Sequence, residues 1–265
     1  MLIDGRKINQ EIGEKLKKEI EDKKVKPSLG ILSVGSDPAS QSFIKVKKKF
    51  GESYGFIVDI LNLGDQTSLE NIKEELMNLQ NKNDAVIVQL PLPDNLKENT
   101  DELLSLIDKE KDVDNLNDGK FEAPIVLALE KVLEQTSSRG KFGIIGLGQV
   151  VGMPIKNYLE KNKEKNNWEV QVIKKGEEEK IKDCDVVISA VGQPFFIKKE
   201  LIKEGSVLID YGCSFVIDES GKEVACGDFD PECFAHASYY TPVPGCMGPL
   251  VVACLFENVL KSSIR

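Results

Sequence analysis

The sequence predicts an α/β protein with parallel sheets. Short apolar runs alternate with longer charged stretches of helix-forming composition, which is typical of parallel strands joined by helices. Strands buried on both faces of a parallel sheet are continuously apolar. Seven runs fit this description: residues 29–34, 57–62, 84–90, 142–146, 168–173, 185–190 and 206–210.

A polar, turn-rich segment at 108–120 (DKEKDVDNLNDGK) divides the chain. Such clusters mark loops and domain boundaries. Three predicted strands precede this segment and four follow it. Helices are predicted at residues 7–24 and 248–264, and the second of these could pack on either domain.

Composition narrows the class of protein. The chain has 265 residues, 41% of them hydrophobic, which suffices for a substantial core. The net charge of −9 argues against a general nucleic-acid binder. It is still compatible with a local basic pocket that binds one small anion. The N-terminus carries charges where a signal peptide is apolar, and the longest apolar runs, such as 249–256, are too short to cross a bilayer. We therefore expect a soluble, cytoplasmic protein.

The cysteines do not form a metal-binding pattern. None belongs to a C-x-x-C pair, and His236 is the only histidine. A structural zinc site is therefore not expected, and free thiols in a reducing compartment are the simpler interpretation. The six are Cys184, Cys213, Cys226, Cys233, Cys246 and Cys254.

A glycine-rich turn follows the strand at 142–146. Gly146, Gly148 and Gly152 precede a helical stretch, and Gln149 and Val150 lie between them. In a dinucleotide-binding turn the first glycine allows a tight bend, the second lets main-chain N–H groups approach the pyrophosphate, and the third allows close helix packing. The spacing is one residue longer than G-x-G-x-x-G, so an ordinary glycine-rich turn is the alternative.

The end of the next strand bears on which dinucleotide binds. Lys174 and Lys175 follow this strand, and basic residues there favour the 2′-phosphate of NADP. Glu177 follows closely, and a carboxylate at this place could instead bind the ribose hydroxyls of NAD. We therefore predict that the cofactor is NADP, with NAD as the alternative.

The segment after the first strand predicts a capped helix. Asp37 can cap it and Pro38 can open it. Lys47 follows Phe43 by four residues, so the two side chains share a face. A lysine in a cleft can serve in acid–base chemistry if its pKa is lowered, but it could equally be one of several surface lysines. The predicted apolar stripe comprises Ala39, Phe43, Val46 and Phe50.

Two further polar sites lie near strand ends. Gln89 closes an apolar strand, where its amide must find hydrogen-bond partners and where parallel sheets bind ligands. Asp112 and Asp114 lie in the dividing segment, where they could contact a substrate or cap a helix.

These segments, taken together, resemble the bifunctional methylenetetrahydrofolate dehydrogenase/methenyltetrahydrofolate cyclohydrolase family. Eight segments match in the family's order: VGSDPASQSF, VQLPLP, KDVD, the glycine turn with VGMP, DVVISAVGQP, GSVLIDYG, GDFD and TPVPGCMGP. The resemblance implies a three-layer α/β folate-binding catalytic domain (1–118 with 248–265) and a Rossmann-type NAD(P)-binding domain (119–247). It also implies an active site in the cleft between them and a homodimer.

The resemblance further implies two reactions and a set of site residues. A hydride passes from 5,10-methylenetetrahydrofolate to NADP, and water then opens the methenyl product to 10-formyltetrahydrofolate. The residues implied are Lys47, Gln89 and Asp114 for catalysis and Phe43, Leu90, Pro91 and Pro249 for the substrate. Together with the glycine turn and the two lysines described above, the predicted cofactor residues are Gly146, Gly148, Gln149, Val150, Gly152, Lys174, Lys175, Val191 and Gly192.

Several positions depart from the family pattern. Phe43 replaces a tyrosine, Leu147-Gly148 replaces Arg-Ser, and Lys174-Lys175 replaces His-Ser. Loss of the tyrosine hydroxyl bears on the hydrolysis more than on hydride transfer. Two alternatives therefore stay open: a dehydrogenase without efficient cyclohydrolase, and a silent relative that binds folate or nucleotide. The presence of Lys47, Gln89 and Asp114 together argues against the silent relative.

Overall fold

The computed structural model describes residues 1–218 and 220–264, which form two compact units. The N-terminal unit comprises residues 10–124 and 252–264, and the C-terminal unit comprises 1–9 and 125–251. The strands are β1 Ser28–Val34, β2 Ile57–Leu63, β3 Ala85–Val88, β4 Gly140–Ile145, β5 Trp168–Ile173, β6 Val186–Ser189, β7 Val207–Asp210, β8 Ser214–Ile217, β9 Glu223–Cys226 and β10 Tyr239–Tyr240.

Helices connect most of these strands. The α-helices are α1 Gly5–Lys23, α2 Pro38–Ser53, α3 Leu69–Lys82, α4 Thr100–Leu104, α5 Pro124–Thr136, α6 Gly152–Asn166 and α7 Met247–Ser263. Short 3₁₀ helices span Asp94–Asn99, Glu178–Asp183, Lys199–Leu201 and Pro231–Ala235. No helix within the described residues is both long and apolar enough to cross a membrane.

The N-terminal unit contains a parallel sheet of three strands in the order β2-β1-β3. All three strands are those that the apolar runs predict. Helix α2 begins as predicted, because the Asp37 carboxylate accepts a hydrogen bond from the Ser40 N–H (2.7 Å) and Pro38 follows the cap. The α3 helix is capped in the same way by Ser68.

The predicted stripe on α2 is wrong. Ala39, Phe43 and Val46 are exposed, and of the predicted stripe only Phe50 is buried. The helix turns a neighbouring face inward, on which the buried residues are Ser40, Ile44, Lys47, Phe50 and Gly51. The periodicity of apolar residues misses this face because two of its members are polar.

From Val252 onward, helix α7 belongs to the N-terminal unit. The buried Asn258 amide donates to the carbonyl oxygens of Val113 (3.0 Å) and Glu122 (2.9 Å). Phe256 packs against Phe50 and Phe56, with ring centroids 5.3 and 4.8 Å apart. Helix α7 therefore holds the segment around residue 113 in place.

The C-terminal unit contains a parallel sheet of five strands in the order β10-β7-β6-β4-β5. Four of these are the predicted strands. The prediction missed β10, which has two residues, and the antiparallel hairpin of β8 and β9. These elements lack the long apolar runs that reveal a buried parallel strand.

The N-terminal segment belongs with the C-terminal unit by its contacts. The Ile3 N–H donates to the carbonyl oxygen of Tyr240 (2.9 Å), and Leu2 forms a parallel bridge with the same residue. The predicted first domain, 1–118 with 248–265, includes these residues. Strand pairing with β10 explains the difference, since β10 itself is not visible in the sequence pattern.

Candidate active site

Lys47 and Gln89 form a hydrogen bond in the N-terminal unit. Lys47 lies on the buried face of α2 with 9% of its surface exposed, and its Nζ donates to Gln89 Oε1 at 3.0 Å. Gln89 follows β3 directly. Its main-chain N–H donates to the Leu32 carbonyl (2.8 Å), and its Nε2 donates to the Leu90 carbonyl (2.8 Å). These bonds turn the amide oxygen toward the lysine.

Asp114 lies on a loop that is anchored on both sides. The Val86 N–H donates to the Lys111 carbonyl (3.1 Å), so the loop extends the sheet next to β3. The buried Asp112 carboxylate accepts from the N–H groups of Leu116 (3.2 Å) and Asn117 (2.8 Å). Asp112 therefore has a structural role, whereas the side chain of Asp114 is free of these loop bonds.

Lys47 and Asp114 influence each other's charge. Burial lowers the pKa of Lys47 from its ordinary value, and the nearby Asp114 carboxylate partly opposes that shift. Burial raises the pKa of Asp114, which Lys47 opposes and Asp112 reinforces. Both groups are thus displaced toward their neutral forms. A lysine in this setting can exchange a proton nearer to neutral pH than a solvated one.

The other predicted substrate residues divide between the units. Phe43 lies one turn before Lys47 on α2 with 41% of its surface exposed. Leu90 packs against the core of the N-terminal unit, and Pro91 is exposed after a cis peptide bond. Pro249 lies in the first turn of α7 within the C-terminal unit, where its carbonyl accepts from Asn9 Nδ2 at 2.6 Å.

The three glycines of the predicted cofactor turn are Gly146, Gly148 and Gly152, and two of them have no room for a side chain. Gly146 follows β4 with a φ of +86°, and a Cβ there would lie 2.4 Å from the Ala190 carbonyl oxygen. A Cβ on Gly152 would lie 1.9 Å from the Gly146 carbonyl oxygen. A Cβ placed on Gly148 would meet no neighbouring atom within 4 Å, which leaves space for a ligand. Gln149 and Val150 are exposed beside it.

The residues after β5 favour a phosphate over a ribose diol. Lys174 and Lys175 are exposed. The Glu177 carboxylate accepts from the Lys174 main-chain N–H (3.2 Å) and from Lys180 Nζ (2.7 Å). Glu177 is thus engaged within its own turn, which weakens the NAD alternative.

Two buried carboxylates that were not predicted as site residues, Asp210 and Asp228, lie near the glycine turn at Gly146. Asp228 accepts hydrogen bonds from the segment 189–193, which includes the predicted cofactor residues Val191 and Gly192. Asp210 ends β7 and contacts the main chain of Asp228 (2.8 Å). Burial and the neighbouring Asp228 raise the pKa of Asp210 to about 7. The GDFD segment was the available signal, but spacing alone assigns it no role.

Family models match both parts of the chain. Residues 3–114 match the catalytic domain of tetrahydrofolate dehydrogenase/cyclohydrolase, and residues 124–265 match its NAD(P)-binding domain. The chain belongs to the tetrahydrofolate dehydrogenase/cyclohydrolase family. The predicted family and the predicted two-domain α/β fold are therefore confirmed.

Relatives in this family align over nearly the whole chain. "Bifunctional protein FolD" from Sulfurovum sp. (strain NBC37-1) is 34% identical, covering 99% of this chain and 98% of the relative. The protein of the same name from Staphylococcus epidermidis (strain ATCC 35984) is 35% identical, covering 98% and 95%.

Solved structures of the family have the same fold. The methylenetetrahydrofolate dehydrogenase-cyclohydrolase of Trypanosoma brucei, complexed with NADP and inhibitor, gives a TM-score of 0.88 at 27% identity, covering 100% of this chain and 98% of the other. The bifunctional enzyme of Campylobacter jejuni gives 0.84 at 31% identity, covering 99% and 98%.

The glycine turn yields a paired prediction. Gly152→Ala should lower the melting temperature by several degrees, because its Cβ would overlap the Gly146 carbonyl oxygen; we expect a loss of about 1–3 kcal/mol. Gly148→Ala should leave stability within about 0.5 kcal/mol, because the site is open and on the surface. Thermal unfolding of both variants checks this, and equal melting temperatures would contradict it.

Proposed function

We propose that this protein oxidises 5,10-methylenetetrahydrofolate to the methenyl form with NADP, and hydrolyses that product to 10-formyltetrahydrofolate. The observation that carries the proposal is the buried Lys47, which is hydrogen-bonded to Gln89 and electrostatically coupled to Asp114. The relatives named bifunctional, and the structure described as complexed with NADP, support the same two activities.

The oxidation chiefly requires alignment of donor and acceptor. A hydride leaves the methylene carbon with its electron pair, the nicotinamide ring accepts it, and the folate becomes the methenyl cation. We assign the dinucleotide to Gly146, Gly148, Gln149, Val150, Gly152, Lys174, Lys175, Val191 and Gly192. The open space at Gly148 and the exposed lysines support that assignment.

The hydrolysis requires a proton acceptor. Water attacks the methenyl carbon to form a C–O bond, and neutral Lys47 accepts the proton that the water loses. The new hydroxyl then loses its proton as the C=O bond forms and a ring C–N bond breaks. The departing nitrogen takes up one proton in exchange, and the formyl group remains on the other nitrogen. Gln89 Oε1 accepts a hydrogen bond from Lys47, which holds the amine in place through the proton transfer.

The remaining substrate residues would position the folate. Phe43 offers an exposed ring face beside Lys47, on which the pterin can stack. Asp114 can hydrogen-bond the pterin ring because its carboxyl is not used by the loop. Leu90, Pro91 and Pro249 complete the proposed contacts.

The activity is tested by spectrophotometry with methylenetetrahydrofolate and each dinucleotide. We expect NADP reduction without build-up of the methenyl intermediate. Accumulation of the methenyl form would show a dehydrogenase without efficient cyclohydrolase. Binding of both ligands without any reaction would show a silent relative.

Lys47→Met should abolish hydrolysis of the methenyl substrate, because methionine fills similar space but cannot accept a proton. We expect a loss of at least about 100-fold, the scale of general base catalysis. Folate binding should remain measurable by fluorescence titration. The control is Lys45→Met, on the exposed side of the same helix. Undiminished hydrolysis by Lys47→Met would remove the assignment.

Hydrolysis should increase with pH as Lys47 loses its proton, with a midpoint below the ordinary lysine pKa of 10.5. The Asp114 carboxylate favours the ammonium form, so Asp114→Asn should move this midpoint to lower pH. Single-turnover hydrolysis rates across the pH range provide the measurement. A midpoint that moves upward in Asp114→Asn would contradict the proposed coupling.

Replacing Lys174 and Lys175 together by alanine should weaken the binding of NADP more than the binding of NAD, because only NADP carries the 2′-phosphate. Charge-assisted hydrogen bonds contribute about 1.5–3 kcal/mol, so we expect the KM for NADP to rise at least about ten-fold. Lys182→Ala, which removes a surface lysine paired with Glu179, is the control. Equal losses for NAD and NADP would refute the phosphate contact.

We also propose a cytoplasmic homodimer that binds neither nucleic acid nor membranes. The acidic net charge supports the absence of nucleic-acid binding. Phe215 and Ile217 lie on one face of β8, and both are more than half exposed, which supports a covered surface in a dimer. Sedimentation equilibrium of the wild type, compared with Ile217→Asp, tests the association.

A further inference from the structure

Asp228 is fully buried and lies two residues after β9. Its Oδ2 accepts from Ser189 Oγ (2.6 Å) and from the Val191 N–H (2.8 Å), and its Oδ1 accepts from the Gln193 N–H (2.9 Å). All three donors belong to the chain that leaves the end of β6. One carboxylate therefore fixes the main chain on both sides of Gly192.

A second carboxylate holds the first in place. Asp210 Oδ2 accepts from the N–H groups of Asp228 (2.8 Å) and Phe229 (3.2 Å), and its Oδ1 accepts from the Gly212 N–H (2.8 Å). Asp210 thus fixes the main chain that carries Asp228.

The packing around the two carboxylates is reciprocal. A Cβ on Gly212 would lie 2.2 Å from Asp228 Oδ1, and a Cβ on Gly227 would lie 2.1 Å from Asp210 Oδ2. Each carboxylate therefore packs against the main chain of a glycine, where the side chain of any other residue would overlap it. Placing two carboxylates side by side without solvent is costly, and the hydrogen bonds to both offset that cost.

The segment that Asp228 holds is next to the dinucleotide turn. A Cβ on Gly146 would meet the carbonyl oxygen of Ala190 at 2.4 Å and the nitrogen of Val191 at 3.1 Å. Gly192 has a φ of +69° and nothing within 4 Å of a Cβ placed there, so this part of the segment borders open space. The segment 190–193 therefore packs against the turn at Gly146 and borders open space at Gly192.

We propose that Asp228 is a positioning residue for the dinucleotide: it holds the segment 190–193 in its binding conformation before NADP arrives. This inference rests on the proposed function, because it takes the turn at Gly146 as the NADP site. Asp228 acts through the main chain, and its carboxylate is fully engaged by the protein. Preorganising a binding segment removes the cost of ordering it on binding.

The test is Asp228→Asn, which keeps the size but puts an amide N–H donor where one or two donors already point. We expect the KM for NADP to rise at least about ten-fold, the scale expected when a buried N–H loses its acceptor. Hydrolysis of added methenyltetrahydrofolate should stay within about two-fold of wild type. That reaction uses no dinucleotide, and its proposed residues Lys47, Gln89 and Asp114 lie in the other unit.

Asp230→Asn is the matched control, because this carboxylate is nearby but pairs with Lys198 and caps a 3₁₀ helix. It should leave the KM for NADP unchanged. The inference is overturned if Asp228→Asn has the wild-type KM for NADP, or if both activities fall equally. Wild type lacking NADP reduction altogether would instead refute the proposed function.

Hydrogen exchange on the wild type provides a second test if Asp228→Asn does not fold. The amide protons of Val191 and Gln193 should be protected in the absence of NADP, because both already donate to Asp228. Adding NADP should protect them little further. Rapid exchange that slows only with NADP would show that the ligand, rather than Asp228, orders this segment, and would overturn the inference.

Discussion

The burial of Lys47 is the constraint on which the rest of the N-terminal unit depends. Removing an ammonium group from water is costly unless other groups compensate it. The amide of Gln89 and the charge of Asp114 provide that compensation, and three separate elements must meet to supply it: helix α2, the end of β3 and the loop beyond Lys111. The sheet and α7 hold these elements together.

The C-terminal unit exposes main-chain groups at its glycine turn instead of a reactive side chain. Glycines make this possible, since a side chain at Gly146 or Gly152 would collide with carbonyl oxygens. The buried carboxylates Asp210 and Asp228 hold neighbouring main chain from behind. The main chain can be rigid while the surface at Gly148 stays open, because the hydrogen bonds that support it are made by buried carboxylates.

The apolar runs predicted all seven major parallel strands. Most of these strands are buried, and a strand buried on both faces is almost continuously apolar, whereas β2 and β5 keep exposed positions. The same criterion failed for the β8–β9 hairpin, where exposed and half-buried residues alternate. It also failed for α2, where the exposed Phe43 and Val46 suggested the wrong buried face. Hydrophobicity identifies faces that pack against a core, and it is misleading where a polar side chain is buried or an apolar one is exposed.

The sequence by itself determined the fold class, the family and the candidate residues, because runs of residue types and ordered motifs are local properties of the chain. Only the tertiary structure decided that Lys47 is buried and bonded to Gln89, and that Asp228 supports the segment beside Gly146. Those facts depend on contacts between residues distant in the chain. Burial, hydrogen-bond partners and pKa shifts arise from such contacts, which no local pattern encodes.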